Sequence, residues 1–169
     1  MRKIILSAIM LIGLAFTAQA QEISKNALGI RFGDSGGFGG ELSYQRGLSS
    51  TNRLELDLGW RNRSNFDNNN YDDSAIKLTG LYQWVWNIDG GFNWYAGIGG
   101  GIGSHNRDYY DTRVNTNEVF VFAAGDIGIE YNFDFPLLVS LDFRPEFGGG
   151  GYYKNNYGSD VALALRYKF

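Results

Sequence analysis

Strict alternation of apolar and polar residues over the last ten positions is the feature that most constrains this chain. One parity holds Val161, Leu163, Leu165, Tyr167 and Phe169, while charged residues and alanines fill the other. A period of two is that of a β-strand, whose successive side chains point to opposite faces. Ten residues also match the roughly 9–11 that a tilted strand needs to cross a bilayer. The segment is therefore predicted to be a membrane-crossing strand.

The same period recurs in seven further segments of the chain. The first apolar set is Leu28, Ile30 and Phe32, and the second is Phe38, Gly40, Leu42 and Tyr44. No charged residue belongs to any apolar set. In the eight segments together, fourteen charged residues take the opposite parity: Arg31, Glu41, Arg53, Glu55, Asp57, Lys77, Asp126, Glu130, Asp142, Arg144, Glu146, Asp160, Arg166 and Lys168.

The cost of charge in hydrocarbon decides which face meets the membrane. An Arg or Lys on the lipid face at mid-bilayer costs about 2–4 kcal/mol, so the charged face is predicted to point inward. The sequence thus predicts an all-β fold, an eight-stranded antiparallel up-and-down transmembrane β-barrel. A soluble barrel with an apolar lining and a charged exterior is the alternative.

The interior of such a barrel is just large enough for side chains, which predicts a packed polar plug. The mixed signs of the inward charges favour a salt-bridge network, in which Asp57 is expected to pair with a cation such as Lys77 or Arg53. Strand five carries four inward glycines, and Phe120 and Phe122 of strand six are expected to fill the space that they leave.

Short and long connections alternate between the predicted strands. Short ones fall at 47–52, 87–91 and 132–135, and long polar ones fall at 62–73, 104–117 and 148–156. The connection at 34–37 is short and is predicted to be a tight hairpin. Outer-membrane barrels have short periplasmic turns and long outer loops. The pattern therefore predicts that both termini are periplasmic.

Residues 1–20 have the features of a secretory signal peptide. Arg2 and Lys3 precede an apolar run, and Ala18-Gln19-Ala20 forms a small-residue cleavage site. Residues 21–169 are predicted to be the barrel domain, with 13 basic and 18 acidic side chains and a net charge of −5. This charge does not favour nucleic acid as a partner, and the chain has no cysteine for a disulfide or a lipid anchor.

The strand count, the unequal connections and the alternating ending 163–169 resemble the small eight-stranded outer-membrane barrels of the OmpA, OmpX and opacity-protein type. The Asn- and Tyr-rich loops are similar to those of exported barrels of Bacteroidota. The resemblance implies that the barrel assembly machinery recognises the last strand through Phe169. It also implies outer-membrane lipid and lipopolysaccharide as surroundings, and a monomer.

Two segments contain residue types that could form a chemical site. His105 lies next to Ser104 with Asp108 and Asp111 nearby, which suggests an acyl-transfer group acting on lipid A. We expect instead a solvated loop histidine, because His and Ser are adjacent here and lie where a loop is predicted to start. The run 67–73 offers oxygen ligands for Ca²⁺ but lacks the glycine and terminal Glu of an EF-hand loop.

The sequence therefore predicts a non-enzymatic outer-membrane barrel that supports envelope integrity or makes surface contacts through its loops. No catalytic, cofactor or metal residue is assigned, and no cofactor is expected. A lipid A acyl-modifying enzyme centred on His105 and a narrow pore are the alternatives.

Overall fold

The computed structural model describes residues 23–33, 38–65, 71–109, 114–149 and 156–169. Each of the eight strands is antiparallel to its neighbours in sequence, and the first strand pairs with the last to close a barrel. No helix among these residues is long and apolar enough to cross a membrane. The strands are β1 Asn26–Phe32, β2 Gly40–Gly47, β3 Asn52–Asn65, β4 Tyr71–Asp89, β5 Phe92–Tyr109, β6 Val114–Asn132, β7 Leu137–Gly148 and β8 Tyr157–Lys168.

This confirms the predicted fold class and strand order. The predicted signal peptide at 1–20 and the predicted hairpin at 34–37 lie outside the described residues.

Register places residues of like character in rows across the barrel wall. Leu58, Leu78, Ile102 and Val121 are paired in sequence across β3, β4, β5 and β6. Their side chains lie on the outer surface, whereas the intervening positions point into the lumen. Because a slip of one residue would reverse every face, this alternation fixes the register of the sheet.

The two ends of the barrel differ, and we call them the turn end and the loop end. The turn end holds the short connections 48–51, 90–91 and 133–136. Gly90 has a φ of +52°, a left-handed conformation that favours glycine in so short a turn. Asn26 and Phe169 are also at this end, where their backbones exchange hydrogen bonds of 3.1 and 3.0 Å. The short predicted connections are therefore confirmed.

Two of the long predicted connections are mostly strand. β3 continues to Asn65 and β4 begins at Tyr71, and β5 continues to Tyr109 before β6 begins at Val114. Beyond the hydrocarbon neither face has to be apolar, so the alternation disappears while backbone pairing continues. We call β3–β6, with 14 to 19 residues each, the tall wall. The short wall is β1, β2, β7 and β8, with 7 to 12 residues each.

Phe38 departs from the predicted parity of the second strand. Gly39 has a φ of +59°, and the Gly40 amide donates to the Phe38 carbonyl, so a tight turn precedes β2. The turn rotates the Phe38 side chain inward, where it is 4% exposed. The expectation that Phe38 faces lipid was wrong, because it assumed an unbroken strand.

Candidate functional site

The predicted inward charges are buried inside the barrel, with one exception at its rim. Lys168 is half-buried at the turn end, where its Nζ donates to the side chain of Asn132 and to the Phe133 carbonyl. Within the described residues the buried set comprises five cations and eight carboxylates: Arg31, Arg53, Lys77, Arg144 and Arg166, with Glu41, Glu55, Asp57, Asp126, Glu130, Asp142, Glu146 and Asp160. This confirms a charged lumen.

Two arginines organise the centre of the lumen. Arg31 lies 3.1 Å from Glu41, 2.5 Å from Asp142 and 2.6 Å from Asp160. Arg144 lies 3.1 Å from Glu41, 3.2 Å from Glu55 and 2.5 Å from Asp57. Buried charges are tolerated when each is paired and hydrogen-bonded, as these are. Since Arg144 is on the short wall and Glu55 and Asp57 are on the tall wall, these pairs tie the two walls together.

Asp57 does not pair as the sequence analysis expected. Its described ion-pair partner is Arg144, rather than Lys77 or Arg53. Lys77 lies 3.3 Å from Glu41 and 2.9 Å from Glu146. Arg53 lies 2.6 Å from Glu130 and stacks 4.6 Å from the ring of Tyr95.

Toward the loop end, aromatic rings cover the charged network. Lys77 Nζ lies 5.0 Å from the Phe38 ring and 5.7 Å from the Phe122 ring, in reach of cation–π attraction. Phe120 and Phe122 are buried, and a Cβ built at Gly103 or Gly101 would overlap their rings. The predicted filling of the glycine gap by these two rings is thus confirmed.

Tyr95 fills a second glycine gap, which the sequence analysis missed. Tyr95 is paired in register with Gly128, and a Cβ at Gly128 would lie 2.5 Å from the Tyr95 ring and hydroxyl. The Tyr95 hydroxyl lies 3.5 Å from Asp142 Oδ2. The sequence feature that could have predicted this contact is an inward glycine on β6 directly opposite an inward tyrosine on β5.

Asp126 differs from the other lumen carboxylates. Each of the other seven has a lysine or arginine nitrogen within 4.0 Å, whereas no such pair joins Asp126 within the described part of the chain. Asp126 accepts a hydrogen bond from Gln83 Nε2, which also donates to Glu55 at 3.2 Å. The amide thus holds two acidic side chains in the lumen without an ion pair to Asp126.

His105 and Ser104 do not form a catalytic pair. Both lie on β5, so adjacent side chains point to opposite faces. His105 is 6% exposed on the lumen side, whereas Ser104 Oγ lies on the outer face and donates to Asn117 Oδ1 at 2.9 Å. The expectation of a solvated loop histidine was wrong, because β5 continues past this position.

The remaining candidate ligands fall mostly outside the described structure. The Asp108 side chain and all of Asp111 are outside it, as are residues 67–70 and the side chains of 71–73. Among the described residues, no three His, Cys, Asp or Glu side chains are grouped so as to hold a metal ion.

The outer face of the tall wall changes character between two neighbouring rows. Leu58, Leu78, Ile102 and Val121 form an apolar row. The next row toward the loop end is Trp60, Ile76, Ser104 and Val119, and the one after it is Asn62, Ser74, Asn106 and Asn117. Only in the last of these rows are the side chains polar on all four strands, so this row marks the edge of the lipid-facing band.

Aromatic rings mark the opposite edge of the lipid-facing band. At the turn end Trp86 stacks on Trp94 with ring centroids 4.3 Å apart, and Phe92 lies 4.5 Å from Tyr131. Amphipathic rings favour membrane interfaces. The band between Trp60 and these rings is the part of the outer face suited to hydrocarbon.

Comparison with known proteins relates the chain to solved barrels only through its structure. No protein-family model and no curated protein matches the sequence. Ail, the attachment invasion locus protein of Yersinia pestis, has a TM-score of 0.55 at 14% identity, covering 86% of this chain and 97% of Ail. Neisserial surface protein A has a TM-score of 0.59 at 12% identity, covering 85% and 94%.

The N-terminal β-barrel domain of Pseudomonas aeruginosa OprF is similar to the same degree. Its TM-score is 0.59 at 13% identity, covering 88% of this chain and 100% of that domain. Identities this low establish the fold alone. Together with the charged lumen and the apolar outer band, they show that this chain has the fold of the small eight-stranded transmembrane β-barrels.

Proposed function

We propose that this chain is a non-enzymatic integral barrel of the outer membrane that makes surface contacts through its tall wall. The tall wall carries this proposal, because strands of 18 or 19 residues exceed the roughly 9–11 needed to cross a bilayer. Their extra length is paired sheet at the loop end. In the proposed orientation the loop end faces outward, and the turn end with both termini is periplasmic.

The names of two similar proteins support a role at the cell surface. One is an attachment invasion locus protein, which has also been solved with the heparin analogue sucrose octasulfate, and the other is a neisserial surface protein. Contact with a surface partner, together with support of the envelope, is the corresponding function proposed here.

Two observations support a non-enzymatic and non-conducting role. His105 and Ser104 lie on opposite faces, so this pair offers no nucleophile and base in contact. The lumen contains a paired charge network beneath the Phe38, Phe120 and Phe122 rings, which leaves little space for a conduit. Single-channel recording in planar bilayers tests the pore alternative, and lipid A mass spectrometry with and without the gene tests the enzyme alternative.

The proposed surroundings follow from this location. Residues 1–20 would direct export, outer-membrane lipid and lipopolysaccharide would surround a monomeric barrel, and the assembly machinery would recognise β8 through Phe169. Deleting Phe169 should lower the yield of folded barrel while export continues. A normal yield would remove Phe169 from the assembly signal. The likeness to barrels of Bacteroidota stays a prediction.

Shortening the tall wall tests the proposed function directly. In one variant a two-residue turn would replace residues 63–72, and in a second a two-residue turn would replace residues 107–116. Cells lacking the gene would be complemented with each variant or with the parent, then assayed for dye exclusion and for adhesion to surfaces coated with heparin or with host matrix. We expect folded barrels that restore dye exclusion and lose adhesion. Full adhesion by both variants would contradict the proposal.

A further inference from the structure

The edge of the lipid-facing band on the tall wall is a row of uncharged hydrogen-bonding side chains. Asn62, Ser74, Asn106 and Asn117 are paired in register across four strands, directly beyond the row of Trp60 and Ile76. Asn62, Ser74 and Asn117 are exposed. Within the described part of the chain, the Asn62 and Ser74 side chains make no hydrogen bond. They therefore present open donors and acceptors beside the hydrocarbon.

The opposite face of the same strands has different chemistry at the same level. Between the polar row and the row of Trp60 and Ile76, the paired positions are Arg61, Ala75, His105 and Glu118. Arg61 and His105 point toward the lumen side. Charge is thus available on this part of the sheet and is absent from the four positions of the outer row. A row without a cation does not suit phosphate, which is recognised through Arg, Lys or backbone amides.

Neutral amides and hydroxyls do suit the hydroxyls of sugars. Each amide offers two donors and an acceptor with two lone pairs, and each hydroxyl both donates and accepts. Asn106 Oδ1 is buried without a hydrogen-bond partner. The Asn117 amide is held in place because its Oδ1 accepts a hydrogen bond from Ser104 Oγ. A hydroxyl-rich group seated on this row would hydrogen-bond to the exposed side chains of Asn62, Ser74 and Asn117 without displacing an ion pair.

The short wall lacks such a row at its described outer end. Its outward side chains there include Phe147 and Tyr157, whose ring centroids lie 5.2 Å apart, and Val161. These residues suit the acyl region and the interface, as aromatic girdles do. Among the described residues, a polar row across four strands therefore occurs on the tall wall and not on the short wall.

We propose that the Asn62–Ser74–Asn106–Asn117 row is a docking surface for the sugar headgroup of an outer-leaflet glycolipid of the lipopolysaccharide type. The glycolipid's acyl chains would lie against the apolar rows below, and its sugar hydroxyls would hydrogen-bond to the amides and the serine. The inference rests on the proposed outer-membrane location with the loop end outward. Beyond that location, we infer that the tall wall binds glycolipid in preference to phospholipid, and that its contacts are to sugar hydroxyls rather than to phosphates.

Folded protein in lipid nanodiscs provides the test. Nanodiscs of phosphatidylethanolamine and phosphatidylglycerol would be compared with ones that also contain lipopolysaccharide with core sugars, either intact or dephosphorylated. Glycolipid bound to the protein would be counted by native mass spectrometry and titrated for affinity. The row variant combines Asn62→Ala, Asn106→Ala and Asn117→Ala. The control combines Ile76→Ala and Val119→Ala, which shorten side chains one row below and remove no polar group.

We expect the parent to bind both glycolipids in preference to phospholipid. The row variant should bind them about tenfold more weakly, the loss of one or two hydrogen bonds. The control should change glycolipid and phospholipid binding alike.

Three outcomes would overturn the inference. They are equal glycolipid binding by parent and row variant, equal losses in the row variant and the control, and loss of the preference when phosphate is removed. If the row variant does not fold, the parent's binding of dephosphorylated glycolipid still decides between sugar and phosphate. Failure of the parent to insert into any bilayer would instead contradict the proposed function.

Discussion

The strands of the tall wall have 14 to 19 residues, whereas those of the short wall have 7 to 12. At a rise of about 3.3 Å per residue, β4 extends roughly 60 Å and β1 roughly 23 Å along the strand. Both walls have apolar residues outside and charges inside where they cross the membrane. The comparison shows that hydrocarbon dictates only the middle of the tall wall, and its remaining length is available for contacts.

Removing the ion pairs that join the two walls should lower the free energy of unfolding more than any other change proposed here. Arg144 on the short wall lies 3.2 and 2.5 Å from Glu55 and Asp57 on the tall wall. Arg144→Met should lower the free energy of unfolding by about 3–5 kcal/mol, because it leaves buried carboxylates without this partner. Urea-dependent unfolding in lipid vesicles, followed by tryptophan fluorescence, measures the loss.

Lys168→Met is the matched control, since Lys168 is a half-buried cation at the rim. It should cost only about 1 kcal/mol, the net contribution of a hydrogen bond. Equal losses in the two variants would show that the lumen network does not hold the walls together.

An arginine introduced on the outer face of the tall wall should cost more stability within the lipid-facing band than beyond its edge. Leu56 is 38% exposed on the lipid-facing band, and Asn62 lies on the same strand and face beyond the edge of that band. Leu56→Arg should cost about 2–4 kcal/mol, whereas Asn62→Arg should cost about 0–1 kcal/mol near the interface. The same unfolding assay compares them.

A Leu56→Cys variant adds an independent measure of the face. Its thiol should resist a water-soluble reagent in vesicles. A thiol that reacts freely, together with normal folding of Leu56→Arg, would reverse the assignment of faces and favour the soluble alternative.

Two carboxylates of the tall wall should respond differently to neutralisation. Asp57→Asn removes a buried carboxylate 2.5 Å from Arg144 and should cost about 1.5–3 kcal/mol. Asp126→Asn keeps an acceptor for Gln83 and loses no described ion pair, so it should cost less than about 1 kcal/mol. Chemical denaturation of both variants at one pH provides the comparison. A larger loss in Asp126→Asn than in Asp57→Asn would mean that a cation pairs with Asp126 in the folded protein.

An epitope tag between Asn65 and Tyr71 should have the smallest effect on stability. The site lies between β3 and β4 at the loop end of the tall wall, and lengthening a connection between two strands costs little free energy. Antibody should stain intact cells that carry this tag. A tag in the 90–91 turn should stain only permeabilised cells, and the reverse result would invert the proposed topology.

Much of the membrane-spanning fold was predictable from residue order. The parity of Leu54, Leu56, Leu58 and Trp60 against Arg53, Glu55 and Asp57 determines which face meets lipid, because charge in hydrocarbon is costly. The packing of Phe120 and Phe122 over inward glycines also followed from sequence, since adjacent strands bring their inward positions side by side.

The partners across the lumen were decided by the tertiary structure. Asp57 meets Arg144, 87 residues away, and Arg31 meets Asp160, 129 residues away. The alternation of apolar and charged residues predicts only that these side chains point inward. Their distances depend on how the closed sheet staggers its strands, which no local pattern encodes.

The height of the tall wall and the positions of Phe38 and His105 were also tertiary outcomes. Phe38 turns inward because Gly39 adopts a left-handed conformation before β2, and His105 is buried because β5 continues beyond the hydrocarbon. Sequence by itself determined the faces of the barrel wherever lipid penalises polar residues. Beyond the hydrocarbon this penalty is absent. There, backbone pairing and turn geometry decide the structure, and the sequence shows no apolar alternation from which they could be predicted.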